Sequence, residues 1–242
     1  MSLGEDGQSG SFQTSLVSNL KVLSTALGVR DSTGSWSVVT CVVAGLCCLI
    51  YTVSVPLQYG ALSAYLLVQK LQVWRAITYC LLHANVIHLV FNVLALLQLG
   101  GSLERRVGPI GLLKVMGALN AISVILYCVG CYALDFVLDM DTAFTKASTV
   151  GYSIVLFGML TVESVRLTHS REQVVLYGVI KVPKIVMPWV VVALMYLLVP
   201  HSSLIGHVCG VLSGYIFKLV FFNTDDNDYI EQTWAMNEYV SV

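Results

Sequence analysis

The residues of this chain best suited to chemistry are few and polar, and they sit in apolar surroundings. They are His83, His88 and Asn92 around the start of one apolar stretch, Gly151-Tyr152-Ser153 near the start of another, and Gly206-His207 near the start of a third. A serine hydroxyl attacks a carbonyl only when a base takes its proton, and an imidazole is the side chain that does so near neutral pH. Ser153 is therefore the candidate nucleophile and His207 the candidate base. The oxyanion formed by such an attack needs donors, and the His88 and Asn92 side chains, with the Ser153 main-chain amide, are of the right type. His88 and Asn92 are four apart and share a helix face, whereas His83, five before His88, points about 140° away and is expected in another role. Ser153 and Phe157 are also four apart, which places an aromatic ring beneath the hydroxyl, where it could support the partner imidazole. No third acid completes a triad: Glu163 lies on the order of 15 Å further along the helix axis, and Asp135, Asp139 and Asp141 belong to a loop. The expected constellation is a dyad.

Metal chemistry is a poorer fit. His83 is followed by Ala84, so the HExxH arrangement of zinc hydrolases is absent, and Cys128 and Cys131 have CxxC spacing without a second pair or a nearby histidine. No metal or cofactor is expected. The cysteines fall in or beside apolar runs and read as small hydrophobes.

The elements that must position these residues follow from composition. Hydrophobic residues make up 57% of the 242 residues and charged residues 11%, with a mean hydropathy of +0.79, values that suit lipid as solvent. A bilayer core needs about 20 apolar residues per helix. The long runs lack the period-2 alternation of barrel strands, so the expected fold class is an all-α polytopic membrane protein. Apolar runs place six spans near Ser37–Val55, Val86–Leu103, Ile110–Val129, Ser148–Val165, Ile185–Val199 and Leu204–Phe222. Residues 36–222 would form this membrane domain, 1–35 an N-terminal tail and 223–242 an acidic C-terminal tail. The mixed segment Pro56–Leu82, with Tyr59, Tyr65, Lys70, Trp74 and Arg75, reads as an interfacial loop, and Thr168–Lys184 as a loop too short in apolar residues to cross.

With both termini cytosolic, only Lys70, Arg75 and Lys146 of the 13 Lys and Arg fall outside, and the positive-inside rule makes this the expected orientation. Ser153, His207 and His88 then share a depth near the outer ends of their helices, Ser153 and His207 on the order of 5–8 Å inside the helix start. Gly206, Gly210 and Gly214 recur every fourth residue, so the sixth helix can approach a neighbour closely, the fourth being the natural one. A net charge of −1 without a basic cluster argues against nucleic acid as a partner.

At this point the chain resembles the rhomboid intramembrane serine proteases. The resemblance is carried by Trp74-Arg75, His83 with His88 and Asn92 in an HxxxxHxxxN pattern, Leu99-Gly100-Gly101, Glu104-Arg105-Arg106-Val107-Gly108, Gly151-Tyr152-Ser153, and His207 with Gly210 and Gly214. It implies a six-helix rhomboid fold, with Ser153 as nucleophile, His207 as base, and His88, Asn92 and the serine amide as oxyanion hole. It implies a structural role for His83, and for Phe157 an aromatic packed on the catalytic histidine. The implied partners are transmembrane segments of other proteins, which enter laterally past the outer end of the fifth helix. The family's nucleophile motif is GxSG, and Ile154 stands at its second glycine. That side chain either wedges the fourth and sixth helices apart, lengthening the Ser153–His207 contact, or meets lipid or a small neighbour and is tolerated. The competing reading is a client-binding pseudoprotease of derlin type. The sequence shows no mitochondrial presequence, so the secretory pathway or plasma membrane is the expected location.

Overall fold

The computed structural model describes residues 37–138, 143–166, 173–176, 180–199 and 202–221, so both expected tails lie outside the described residues. Helix α1 is Val38–Thr52; two short helices, α2 (Ala64–Val68) and α3 (Arg75–Thr78), follow within the segment read as a loop. Helix α4 runs over Val86–Leu138, α5 over Ala143–Lys146 and α6 over Ser153–Arg166. Strands β1 (Gln173–Leu176) and β2 (Ile180–Pro183) precede α7 (Met187–Leu198) and α8 (Leu204–Phe221). Each of the six apolar stretches predicted from the sequence holds a helix, the second and third being the two arms of α4. By length and apolarity, 86–137 and Leu204–Phe221 are long enough to cross a membrane, and Val38–Thr52, Ser153–Val165 and Lys184–Leu197 are shorter apolar helices.

Three departures from the sequence reading have local causes. The arms of α4 meet without a loop, because Gly108 takes φ 73°, a conformation open to glycine, and Pro109 then starts the second arm with its fixed φ. Helix α6 begins at Ser153 and not at Ser148. Residues 148–150 are extended, Leu62 and Thr149 exchange both main-chain hydrogen bonds at 2.9 Å, and the Gly151 N–H donates to the Tyr79 carbonyl at 2.9 Å. Ser153 is thus the first helical residue, not a turn inside. The segment Thr168–Lys184 contains an antiparallel ladder pairing Gln173 with Pro183 through Leu176 with Ile180, so the fold is not purely helical. The β-branched Val174, Val175, Ile180 and Val182 suit strands better than helix.

The segment 56–82 is held by buried polar groups. The Arg75 guanidinium donates to the carbonyls of Ala61 and Gln58 and to Gln72 Oε1, each at 2.7 Å. Asn120, on the second arm of α4, accepts from the Tyr79 hydroxyl at 2.8 Å and donates to the Ala76 carbonyl at 2.8 Å. The buried Glu104 carboxylate accepts the N–H groups of Val39 and Thr40 at 2.9 Å and the Thr40 hydroxyl at 2.8 Å, capping α1 from another helix. At the far end of α6 from Ser153, Glu163 pairs with Arg106 at 2.8 Å and Lys218 donates to the Val165 carbonyl at 3.2 Å.

Helices α6 and α8 approach each other at backbone distance. A methyl group added at Gly214 would lie 2.6 Å from the Gly158 carbonyl oxygen, and one at Gly210 would lie 3.0 Å from Phe157 Cβ and crowd the Ile154 carbonyl. The pairs Gly210 with Phe157, Gly214 with Thr161 and Lys218 with Val165 share one sequence offset, so the helices run parallel and in register. The glycine stripe expected to bring these two helices together does so.

Candidate active site

The site forms where α6 and α8 begin. His207 Nε2 lies 3.2 Å from Ser153 Oγ, and the two residues are 3% and 8% exposed. His207 is the fourth residue of α8, whose start is capped by Ser203: its hydroxyl accepts the Gly206 N–H at 3.1 Å and its carbonyl accepts the His207 N–H at 3.0 Å. The Phe157 ring centroid is 4.6 Å from that of His207, as the four-residue spacing from Ser153 suggested. His207 Nδ1 has no hydrogen-bond partner among the described residues, so packing on Phe157 and the contact with Ser153 hold the ring, and no carboxylate orients it.

Ile154 is fully buried and lies against the sixth apolar helix of the sequence reading. A methyl group at Gly206 would come 2.8 Å from Ile154 Cδ1, so the space taken by the isoleucine is the space that glycine leaves on α8. Of the two packings open to Ile154, the small neighbour is the one found, and the serine and histidine stay in contact.

Gly151 takes φ 110°, and a Cβ there would lie 2.6 Å from His88 Nε2 and Cε1. Absence of a side chain therefore serves twice: it permits the turn into α6 and lets the His88 ring lie over the backbone beside Ser153. His88 is fixed at the start of α4 by Asn85, whose Oδ1 accepts the His88 N–H at 2.8 Å. Asn85, just before the first helical residue, is a capping signal legible in the sequence.

Asn92 and His83 are placed differently from the sequence reading. Asn92 is buried, but its Nδ2 donates to the His88 carbonyl at 2.8 Å and it does not line the cleft. His83 precedes α4, so its orientation does not follow the helical wheel. Its ring makes an edge contact with His88, the centroids 5.2 Å apart. Burial, and next the neighbouring His88, push the His83 imidazole down to about 4. The ring is therefore neutral at pH 7; with Nδ1–H donating to the Leu81 carbonyl at 3.2 Å, Nε2 is left as an acceptor.

Ser153, His88 and His207 open on a cleft of about 170 Å³. Its walls include the extended segment 148–150, Met195 and Val199 of the α7 end, and Ser202 and Ser203, none of which was singled out in the sequence because each is ordinary until the fold brings it to the dyad. No group of three or more potential metal ligands occurs among the described residues.

A family model described as the Rhomboid domain matches residues 70–224. Rhomboid-like protein 15 of Arabidopsis thaliana is 28% identical over 211 residues, covering 82% of this chain and 51% of its own length. Rhomboid-type serine protease 2 of Gibberella zeae is 29% identical over 144 residues, 59% of this chain and 51% of its own. Rhomboid-related protein 4 of Homo sapiens is 27% identical over 162 residues, 67% of this chain and 50% of its own. The chain spans about half the length of these curated relatives. Because the domain match covers more than half of the chain and takes in both the helix that starts with Ser153 and the helix that carries His207, this protein belongs to the membrane-embedded rhomboid family.

Proposed function

We propose that the chain is an intramembrane serine protease that hydrolyses peptide bonds in or near transmembrane segments of other membrane proteins. The observation that carries this reading is the 3.2 Å approach of His207 Nε2 to Ser153 Oγ in the wall of a cleft. As the hydroxyl oxygen adds to the scissile carbonyl carbon, its proton passes to Nε2; the imidazolium then protonates the leaving amine, and an ester to Ser153 remains. Water, deprotonated by the same nitrogen, hydrolyses that ester and restores the hydroxyl. The tetrahedral oxyanion of each step is stabilised by the Ser153 amide and His88. As the first residue of α6, Ser153 has an N–H with no acceptor within its own helix, and both dyad helices direct their positive dipole ends toward the cleft.

In the same reading the six helical stretches cross the bilayer and both termini are cytosolic. The segment 56–82 lies in the interface, an assignment supported by Leu71, Val73, Trp74 and Ile77, all exposed on it. Residues 1–35 and 223–242 flank the membrane domain in this reading. The second reading, client binding without cleavage, is favoured by one observation, the commitment of the Asn92 amide to a helix carbonyl.

The deciding experiment co-expresses a helix-unstable transmembrane reporter with wild type, Ser153→Ala and His207→Ala. Cleavage by wild type alone is the expected result, and equal processing in all three would end the protease reading. Labelling of purified wild type, but not Ser153→Ala, by a fluorophosphonate separates the enzyme from the client-binding protein.

A further inference from the structure

Five buried side-chain atoms have no hydrogen-bond partner among the described residues: His83 Nε2, Asn92 Oδ1, Ser123 Oγ, Ser202 Oγ and His207 Nδ1. Of these residues, Ser202 and His207 line the cleft. Three polar groups of the same wall are already engaged. The Ser202 N–H donates to the Val199 carbonyl at 3.2 Å, the Ser203 hydroxyl caps α8, and the Ser153 hydroxyl faces His207. A buried hydroxyl without a protein partner is unfavourable, and an alanine would avoid it. In a cleft wall such a group points to a partner that arrives with the ligand.

The main chain of an incoming segment has other partners. Thr149 turns both its N–H and its carbonyl to Leu62, so by strand alternation the main-chain groups of Ser148 and Val150 turn away from Leu62, and all three residues line the cleft. An extended segment can satisfy its backbone along that edge. The Ser202 hydroxyl is left for a side chain.

We propose that Ser202 is a specificity-determining residue, its hydroxyl selecting transmembrane substrates that carry a hydroxyl or amide side chain beside the scissile bond; this rests on the protease reading above. A serine, threonine or asparagine there satisfies both partners away from water, whereas an alanine leaves the Ser202 hydroxyl buried and unpaired. Sites built to hydrogen-bond a substrate discriminate strongly against the analogue that lacks the group.

The test is a serine scan of a cleavable transmembrane reporter through the residues flanking the cleaved bond, each compared with alanine at the same position. Rates are normalised to the fraction of enzyme labelled by a fluorophosphonate, which reports folded protein with a competent dyad. Wild type is expected to favour serine by about tenfold in kcat/KM at one position. Ser202→Ala is expected to bring that ratio close to one, and Ser202→Thr to keep it. An unchanged ratio in Ser202→Ala, or a wild type that labels and cleaves without preference at any position, overturns the assignment of Ser202 and leaves the protease reading standing. A wild type that neither labels nor cleaves removes both.

Discussion

Ser153 and His207 face each other because each begins or nearly begins its helix, and the groups around them divide into those that touch the cleft and those that support it. His88 belongs to the first kind, lying over Gly151 and lining the cleft, while Asn92 belongs to the second. Removing one oxyanion donor lowers kcat by about 10²–10³-fold. His88→Ala is expected to lose activity on that scale, with KM little changed. Asn92→Ala is expected to lose less than about tenfold, the difference between a direct donor and a residue that steadies the first turns of α4. Steady-state kinetics on a purified reporter distinguishes them; equal losses would mean that Asn92 turns into the cleft during the reaction.

The pairing of α6 with α8 is the element on which the dyad depends, and Ile154 is its most informative contact. The isoleucine fills the notch left by Gly206, so it is part of the packing and not a wedge within it. Ile154→Gly removes a fully buried side chain and introduces a flexible residue into a helix, a loss of about 3–5 kcal/mol. Lower thermal stability with cleavage retained at permissive temperature is the expected phenotype. Gly206→Ala is expected to destabilise by about 1–2 kcal/mol through the contact with Ile154. Combining Gly206→Ala with Ile154→Ala should recover part of that loss, because the new methyl enters the space the isoleucine vacates. Unfolding of the two single variants and the double variant measures the coupling, and strictly additive losses would rule out the notch.

At the scale of the whole molecule, the segment 56–82 and the extended residues 148–150 form the rigid surround of the dyad. Arg75 and Asn120 fold the segment, Leu62 pins Thr149, and Tyr79 pins Gly151, so the backbone entering Ser153 is tied to two distant parts of the chain. Orientation in the bilayer belongs to the same scale. Of 13 Lys and Arg, all but Lys70, Arg75 and Lys146 fall on the side expected to be cytosolic. Epitope tags at both ends are therefore expected to be digested together when protease is added to the cytosolic face of intact membranes. Protection of one tag alone would refute the proposed even number of spans, and protection of both would refute the orientation.

What the sequence determined by itself is what composition and short-range periodicity encode. Apolar runs located the helices, the Gly206–Gly210–Gly214 stripe identified the helix that approaches its neighbour, and the spacing of Ser153 and Phe157 placed a ring next to the imidazole. What only the tertiary structure decided depends on contacts between residues distant in the chain. The start of α6 is set by a bridge to Leu62, which no local signal near Ser148 announces, and the ring of His83 folds onto His88 because the chain before Val86 is not helical. The same holds for the role of Ile154. Beside the nucleophile it reads as an obstruction, and only the glycine that meets it from α8, 52 residues further along the chain, makes it a fit. Side-chain volume is a property of the residue, whereas the room for it belongs to the neighbour.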